Sequence, residues 1–280
     1  MTVSPAPPEG TAPAADWGPD RLRLPGLGPA TRSLVTGGAG AIGRRCAERL
    51  LGLGASVAIM SRSAESVEAT VGSLGRAGTA GRVLGEAGDV GSEADVRRVV
   101  ARLEQEWGGL DLVVHCGAVG DDSPLADLDQ ARINALLSTN VAGTLLVAKA
   151  AAGIMGPGSS IVNVASVMAH RVWPERSLYA TSKAAVVHAT RALAAELGPR
   201  GIRVNSVSPG NTPTVLTALD DRPGQGQPAS PGGSAARIPL RRRGELDDYV
   251  GPVLFLASDL AAYTTGVDIV VDGGLIALRP

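Results

Sequence analysis

From Ser33 onward the chain alternates short apolar segments with longer amphipathic ones. SLVTG precedes AIGRRCAERLLGLG, SVAIMSR precedes SAESVEATVGSLG, RVLGEAGDV precedes SEADVRRVVARLEQEWG, and LDLVVHCG precedes a long Ala/Leu segment. Strand and helix patterns repeated in this order predict βαβ units with parallel, buried strands. The sequence therefore predicts an α/β fold of the doubly wound, Rossmann type, with helices on both faces of the sheet. Ligands are expected at the carboxyl ends of the strands.

The third amphipathic segment carries a helix start signal. Ser92 and Asp95 stand at the N-cap and N3 positions, and an apolar stripe follows at helical spacing: Val96, Val99, Val100, Leu103 and Trp107. Further along, SIVNVAS, IRVNSVSPG and DIVVDGG predict strands. Helices are predicted from about Tyr179 to Leu197 and around LDDYVGPVLFLAS.

Length and composition favour one domain. The 280 residues, 44% of them hydrophobic, suffice for a single large core. About thirty N-terminal residues, rich in Pro, Ala and Gly, predict a disordered extension over 1–30. Residues 31–280 are then the folded domain, and its Gly/Pro-rich segment at about 211–237 is expected to form a substrate lid.

The charge distribution narrows the class of partner. The formal net charge is −1 and no dense basic run occurs, which argues against nucleic acid and anionic membranes and favours small molecules. No apolar stretch of membrane-spanning length and no secretory signal are found, so a cytoplasmic location is expected. Cys46 and Cys116 match no metal or redox spacing and are expected to be reduced, packed thiols. His115, His170 and His188 have no spacing suited to a metal, and no role is assigned to them.

A glycine-rich turn follows the first predicted strand. In TGGAGAIG, Gly38, Gly40 and Gly43 satisfy G-x-G-x-x-G between a strand and a helix. Such glycines allow close backbone approach, and the N-terminus of the next helix attracts a pyrophosphate. After the second strand, Ser61 stands where an NAD-selecting carboxylate is usual, and Arg62 follows it. This favours NADP(H), with NAD(H) as the second possibility.

The stretch YATSK places Tyr179 and Lys183 one above the other on a helix. Of the 26 basic residues, all but Lys149 and Lys183 are arginine. A phenol with a pKa of about 10 needs about 4 kcal/mol to become a proton donor near pH 7. One ammonium at about 4 Å supplies an interaction of that order at an effective dielectric near 20. The pair therefore predicts a tyrosine general acid or base.

With these motifs the sequence resembles the short-chain dehydrogenase/reductase family from Ser33 to Gly274. The family's markers recur in order: the loop at Thr36 to Gly43, Asp89-Val90, Asn140 in STNVAG, Ser166 in IVNVAS, Tyr179 and Lys183 in YATSK, Pro209-Gly210 and Asp272-Gly273-Gly274. The resemblance implies a seven-stranded parallel sheet in one domain and a homo-oligomer, often a tetramer.

The resemblance also implies residue roles. Ser166 would orient the substrate oxygen, Lys183 would hold the nicotinamide ribose, and Asn140 would bind a water linking Lys183 to solvent. The implied cofactor-binding set is Gly37, Gly38, Gly40, Ala41, Ile42, Gly43, Ser61, Arg62, Asp89, Val90, Gly117, Tyr179, Lys183, Pro209, Gly210, Thr212 and Thr214. Two positions depart from the family: Ala41 replaces a frequent glycine, and HCGA at 115–118 replaces N-N-A-G.

The sequence thus predicts an oxidoreductase that transfers hydride between NADP(H) and a carbonyl or alcohol, with Tyr179 as general acid or base. A ketoreductase of specialised metabolism or of the 3-oxoacyl type fits this description. Two alternatives stay open: a catalytically idle NADP(H)-binding sensor or scaffold, and a redox-neutral isomerase using bound cofactor. The absence of a G-x-S-x-G elbow argues against a serine hydrolase.

Overall fold

The computed structural model describes residues 24–76, 81–211 and 234–277. Within them, seven parallel strands form one sheet in the order β3-β2-β1-β4-β5-β6-β7. The strands are β1 (Arg32–Thr36), β2 (Ser56–Ser61), β3 (Val83–Ala87), β4 (Leu110–His115), β5 (Met155–Val164), β6 (Arg203–Pro209) and β7 (Asp268–Val271). The predicted α/β class and the seven parallel strands are confirmed.

Helices cover both faces of this sheet. They are α1 (Ala41–Gly52), α2 (Ala64–Arg76), α3 (Glu93–Trp107), α4 (Gln130–Leu137), α5 (Gly143–Ala152), α6 (Ser177–Leu197) and α7 (Leu246–Ala257). A π-helical turn, Ser138–Ala142, joins α4 to α5. Buried residues of α1, α2 and α7 pack on one face, and those of α3, α5 and α6 pack on the other. The core is therefore two layers of apolar side chains separated by the sheet.

The start of α3 shows how local sequence sets an element boundary. Ser92 is the N-cap, and its Oγ accepts a hydrogen bond from the Asp95 N–H at 3.3 Å, as the spacing predicts. The stripe residues Val96, Val99 and Leu103 are buried against the sheet. Gly108 ends the helix in the left-handed conformation, with φ of 73°.

The strand order fixes the position of a crevice. β1 has β2 on one side and β4 on the other, so the connections leaving β1 and β4 run to opposite faces and separate. In open parallel sheets ligands bind at this switch point, beyond the carboxyl ends of the strands. The glycine turn after β1 and the HCGA segment after β4 both lie there.

The predicted disordered extension and lid fall largely outside the described residues. Residues 1–23 and 212–233 are not described, so disorder and lid function there stay predictions. The chain is already ordered before residue 31, however. Leu24 and Leu27 pack on the core, and the Pro25 carbonyl accepts a hydrogen bond from the Asp259 N–H at 2.8 Å. Apolar contact with the α1 and α7 layer therefore extends the domain back at least to Leu24.

One helical run, Gln130–Ala152, has the length and composition of a membrane span. Half of its most apolar window is buried inside the domain, as expected for a core helix. Its apolar residues pack beside α3 and α6 against the sheet.

Candidate active site

A cleft of about 540 Å³ opens at the carboxyl ends of the central strands. Its wall runs from the glycine turn after β1, past the ends of β2, β3 and β4, to the end of β5, to α6 and to the end of β6. This volume lies in the usual range for small-molecule sites. The cleft therefore coincides with the switch point of the sheet.

The glycine turn is shaped so that the backbone itself forms the cleft floor. Gly37 has φ of 63°, and a Cβ there would lie 2.8 Å from the carbonyl carbon of Cys116. A Cβ on Gly43 would lie 2.4 Å from the Gly37 carbonyl oxygen. α1 then begins at Ala41, with Gly40 as an N-cap that offers no side-chain acceptor and no acidic residue in the first turn. The unpaired N–H groups of that turn and its positive dipole end suit a pyrophosphate.

The end of β2 supports this turn and adds a cation. Ser61 Oγ accepts a hydrogen bond from the Ala39 N–H at 3.1 Å, which holds the glycine turn against β2. Arg62 is exposed and lines the cleft. Among the described residues no carboxylate pairs with it. Its guanidinium therefore remains available for an anion at this end of the cleft.

Asp89, Val90 and Gly117 form the middle of the wall. Asp89 Oδ1 accepts a hydrogen bond from the Gly91 N–H at 2.8 Å, which shapes the turn after β3. A Cβ at Gly117 would lie 3.1 Å from Cγ1 of Val90. The Gly117 backbone therefore packs directly against the Val90 side chain in this part of the wall.

Tyr179 and Lys183 lie one turn apart on α6 and both face the cleft. Lys183 is 3% exposed, its Nζ donates to the Val164 carbonyl at 2.9 Å, and it lies 5.8 Å from the centroid of the Tyr179 ring. Burial lowers the pKa of Lys183 to about 8. The ammonium is therefore still mainly charged at neutral pH, beside a half-buried phenol.

Ser166 lies at the same end of the cleft, directly after β5. It caps a short 3-10 turn, Val167–Ala169, and its Oγ accepts a hydrogen bond from the Met168 N–H at 3.1 Å. That bond does not use the hydroxyl proton, so the group can still donate. Ser166, Tyr179 and Lys183 thus line one site, as the sequence predicts.

Asn140 is 1% exposed and does not line the cleft. Its Oδ1 accepts from the Val119 N–H at 2.8 Å, and its Nδ2 donates to the Val119 carbonyl at 2.9 Å and to Ser182 Oγ at 3.0 Å. Both amide protons are therefore used within the protein. The side chain holds the π-helical turn against the segment after β4 and against α6. Its backbone carbonyl also accepts a hydrogen bond, from Thr144 Oγ1 at 2.8 Å.

His115 begins the segment that departs from the family pattern. Burial, followed by the charge of Lys183, lowers its pKa to about 3, so the ring is neutral. Thr36 Oγ1 accepts from the Gly117 N–H at 3.3 Å and lies 2.7 Å from His115 Nδ1. A hydroxyl oxygen has two acceptor lone pairs, so either Thr36 or His115 can donate in this buried hydrogen bond. Through Thr36, His115 thus helps to hold the Cys116-Gly117 segment of the cleft wall in place.

Most of the predicted cofactor residues line the cleft: Gly37, Gly40, Ala41, Ile42, Gly43, Ser61, Arg62, Asp89, Val90, Gly117, Tyr179, Lys183, Pro209 and Gly210. Gly38 does not, because its α-carbon faces Ile59 of β2. Thr212 and Thr214 lie outside the described residues. Sequence reasoning missed other lining residues: Ala39, Met60, Ser63, Ser66, Gly88, Cys116, Ala118, Thr139, Val164 and Ala165. Most directly neighbour predicted positions, which was the available signal.

Both cysteines are free thiols, as predicted. Cys46 is buried in the α1 face of the core, whereas Cys116 is half-buried and lines the cleft. Cys116 therefore contributes to the wall of the site, which its isolated position in the sequence did not indicate.

Known proteins of similar sequence are dehydrogenases and reductases. The chain fits the family model described as enoyl-(acyl carrier protein) reductase over residues 37–276. It is 36% identical to D-threitol dehydrogenase of Mycolicibacterium smegmatis, covering 86% of this chain and 91% of that protein. It is 34% identical to 2-(S)-hydroxypropyl-CoM dehydrogenase 3 of Xanthobacter autotrophicus, covering 87% and 96%.

A solved structure shares the fold closely. The short-chain dehydrogenase of Burkholderia cenocepacia J2315 in complex with NADP superposes with a TM-score of 0.79 at 36% identity, covering 89% of this chain and 98% of that one. The sequence matches and the shared fold thus agree with the family motifs found in the sequence. The protein is an NAD(P)-dependent oxidoreductase acting on alcohol and carbonyl groups, and it belongs to the short-chain dehydrogenase/reductase family.

Proposed function

We propose that this protein reduces a small carbonyl compound, or oxidises the corresponding alcohol, with NADP(H) and with Tyr179 as the proton-transferring group. The observation that carries the proposal is the buried Lys183 ammonium one helical turn from Tyr179, in the cleft that the glycine turn also lines. An uncompensated buried charge beside a titratable phenol is a recognised sign of acid-base chemistry.

The described residues fit a dinucleotide. The missing Cβ atoms of Gly37 and Gly43 allow backbone segments to pack closely, and the glycine turn and the first turn of α1 line the cleft. Gly40, Ile42, Asp89 and the Val90-Gly117 wall would hold the adenosine and pyrophosphate. When bound, the dinucleotide supplies or accepts a hydride.

The protein residues manage the proton. In the reducing direction the Tyr179 hydroxyl donates its proton to the carbonyl oxygen, and the Lys183 charge stabilises the phenolate that remains. In the oxidising direction the phenolate takes the alcohol proton. Ser166 donates a hydrogen bond to the same oxygen and stabilises its negative charge as it develops. Lys183, which is fixed by the Val164 carbonyl, would also hold the nicotinamide ribose.

We infer a preference for NADP(H) from Arg62. The end of β2 carries no carboxylate to repel a 2′-phosphate, since Ser61 occupies that place, and exposed Arg62 lines the same part of the cleft. The NADP complex of the Burkholderia cenocepacia relative agrees with this preference.

We further propose that the protein acts in the cytoplasm as a homo-oligomer, a tetramer or a dimer. The match to the short-chain dehydrogenase/reductase family supports this proposal. Size-exclusion chromatography with light scattering measures the assembly directly.

Cofactor turnover tests the proposed function. Purified protein is mixed with NADPH or NADH and with a panel of ketones, quinones, 3-oxoacyl thioesters and enoyl thioesters, and cofactor absorbance is followed. NADPH oxidation with a carbonyl substrate is expected. Turnover with enoyl thioesters alone would move the reaction to C=C reduction. Binding of NADPH without any turnover would favour the idle sensor, and substrate conversion without net cofactor change would favour the isomerase.

Tyr179→Phe tests the proton donor. Loss of the hydroxyl is expected to lower kcat by about 10²–10⁴-fold with NADPH affinity nearly unchanged. The matched control is Tyr263→Phe, which changes a fully exposed tyrosine of the surface. Wild-type turnover in Tyr179→Phe would remove Tyr179 from the mechanism.

A further inference from the structure

The 3-10 turn that follows Ser166 is held against β7 by a side-chain contact of His170, the residue after the turn. His170 follows the 3-10 turn Val167–Ala169, and its N–H donates to the Val167 carbonyl at 2.9 Å. The His170 ring then reaches β7, where Nε2 lies 2.7 Å from Asp268 Oδ2. The turn therefore has Ser166 at one end and a contact with β7 at the other.

Asp268 is the centre of a small buried cluster. Its side chain is 4% exposed, and Oδ1 accepts hydrogen bonds from Ser206 Oγ at 2.6 Å and from Ser208 Oγ at 3.0 Å. Ser208 Oγ is also 2.8 Å from Oδ2, the oxygen that meets His170. A buried carboxylate needs such donors to offset its lost hydration. Two hydroxyls of β6 and one imidazole N–H thus fix the carboxylate in a single orientation.

The donor in the histidine contact can be assigned. An ionised carboxylate only accepts hydrogen bonds, so His170 Nε2 must carry a proton and donate it to Asp268. The His170 side chain is 28% exposed, whereas the Asp268 side chain is only 4% exposed. His170 is therefore anchored by an acceptor that cannot rotate away.

A second contact strengthens the same connection. The next residue, Arg171, donates from Nη1 to the Leu275 carbonyl at 2.8 Å, and its guanidinium lies over the Trp173 ring at 5.7 Å. Both tethers run from the turn after β5 to the segment that begins with β7. The serine turn is thus held on a part of the chain about a hundred residues away in sequence.

We propose that His170 and Asp268 are positioning residues for Ser166. Their bond fixes the 3-10 turn, and the turn fixes the Ser166 hydroxyl toward the substrate oxygen. A hydroxyl that stabilises developing charge must be held in place before the reaction, because its effect falls steeply with misplacement. The proposal rests on the role of Ser166 in the proposed function, but the tether itself is a property of the fold.

Kinetics of His170→Leu test the positioning role. The variant keeps an apolar body of similar size and removes the donor. It is expected to lower kcat about tenfold, with the KM for NADPH unchanged. His170→Gln, whose Nε2 can reach the same carboxylate oxygen, is expected to recover most of that loss. His188→Leu, a histidine change on the exposed side of α6, is the matched control and should behave as wild type.

A double-variant comparison shows whether the effect passes through Ser166. In a Ser166→Ala background, His170→Leu should cause little further loss, because the group it positions is already gone. A full additional tenfold loss would overturn the proposal, as would wild-type kcat in His170→Leu. A folded His170→Gln that is as impaired as His170→Leu would also overturn it.

Hydrogen exchange gives a readout that needs no activity. The amides of Ala169, His170 and Arg171 donate within the turn, at 2.9, 2.9 and 3.0 Å. In His170→Leu a peptide covering 167–171 should exchange faster than in wild type, while peptides from α3 should not change. Asp268→Leu removes the acceptor of the same bond and serves if His170→Leu folds poorly. Unchanged exchange in both variants would overturn the tether even if the protein proves to be an active reductase. Faster exchange with no reductase activity would retain the tether and reject the proposed function.

Discussion

The two ends of the cleft are built in opposite ways. At the glycine-turn end the chain omits side chains so that backbone segments can approach closely: Gly37 and Gly43 sit where a Cβ would meet backbone atoms. At the proton-transfer end the chain adds a charge and buries it, because Lys183 is 3% exposed and is held by the Val164 carbonyl. The first end is a matter of backbone shape, and the second is a matter of desolvation.

The two ends also differ in how much folding free energy their functional residues cost. Glycine positions cost backbone entropy, which is spread over the turn and is modest at each residue. A buried ammonium loses hydration that one carbonyl does not replace, and its lowered pKa expresses that loss. We therefore expect changes at the glycine end to damage binding, and changes at the lysine end to trade activity for stability.

Gly43→Ala should have the largest effect on cofactor binding. The new methyl group would stand 2.4 Å from the Gly37 carbonyl oxygen, so the turn must shift. We expect the Kd for NADPH to rise about 100-fold and the free energy of unfolding to fall by about 1–3 kcal/mol. Fluorescence titration and urea unfolding measure the two quantities.

Gly52→Ala is the control on the same helix. A Cβ there meets nothing within 4 Å, so NADPH affinity should not change and stability should stay equal or rise by up to about 1 kcal/mol. If Gly43→Ala bound NADPH as tightly as Gly52→Ala, the glycine turn would not be the pyrophosphate site.

Arg62→Ala should have an intermediate and selective effect. Removing one exposed cation from the end of β2 should weaken NADPH binding about tenfold, equivalent to about 1.4 kcal/mol, and leave NADH binding unchanged. The effect should shrink with added salt. Arg97→Ala, which removes an exposed cation from α3, is the control. An equal loss for both cofactors would show that Arg62 does not read the 2′-phosphate.

Lys183→Met should change the free energy of unfolding only slightly, and it should stabilise the protein where Gly43→Ala destabilises it. The pKa of Lys183 is about 8 in the folded protein, against an ordinary value of 10.5, so the unfolded chain binds more protons between these limits. The charge therefore destabilises the fold below pH 8, and this penalty disappears as pH rises toward 10.5. Lys183→Met should raise the free energy of unfolding at pH 7 by on the order of 1 kcal/mol, with activity lost.

Urea unfolding of apo protein at pH 7 and pH 9.5 measures this difference. The gain from Lys183→Met should be larger at pH 7 than at pH 9.5. Lys149→Met, which changes the other lysine at a largely exposed position, should show no such pH dependence. A destabilised Lys183→Met at pH 7 would mean that the buried ammonium is compensated, and the contrast between the two ends would fail.

Features coded within a few residues could be predicted from the sequence. The Ser92 cap, the buried stripe of α3, the glycine turn and the one-turn spacing of Tyr179 and Lys183 follow from local periods and residue types, and the structure shows each of them. The alternation of strands and helices likewise predicted a parallel sheet, because buried parallel strands need helical connections. These are short-range consequences of backbone geometry.

Contacts between distant segments were decided only by the tertiary structure. The sequence assigned no role to His115 or His170, yet one braces the cleft wall through Thr36 and the other meets Asp268 of β7. Asn140 was expected beside a water, whereas its amide is consumed by Val119 and Ser182. A polar side chain has no period that reveals its partner, and only strand order and helix packing determine which donor and acceptor become buried together.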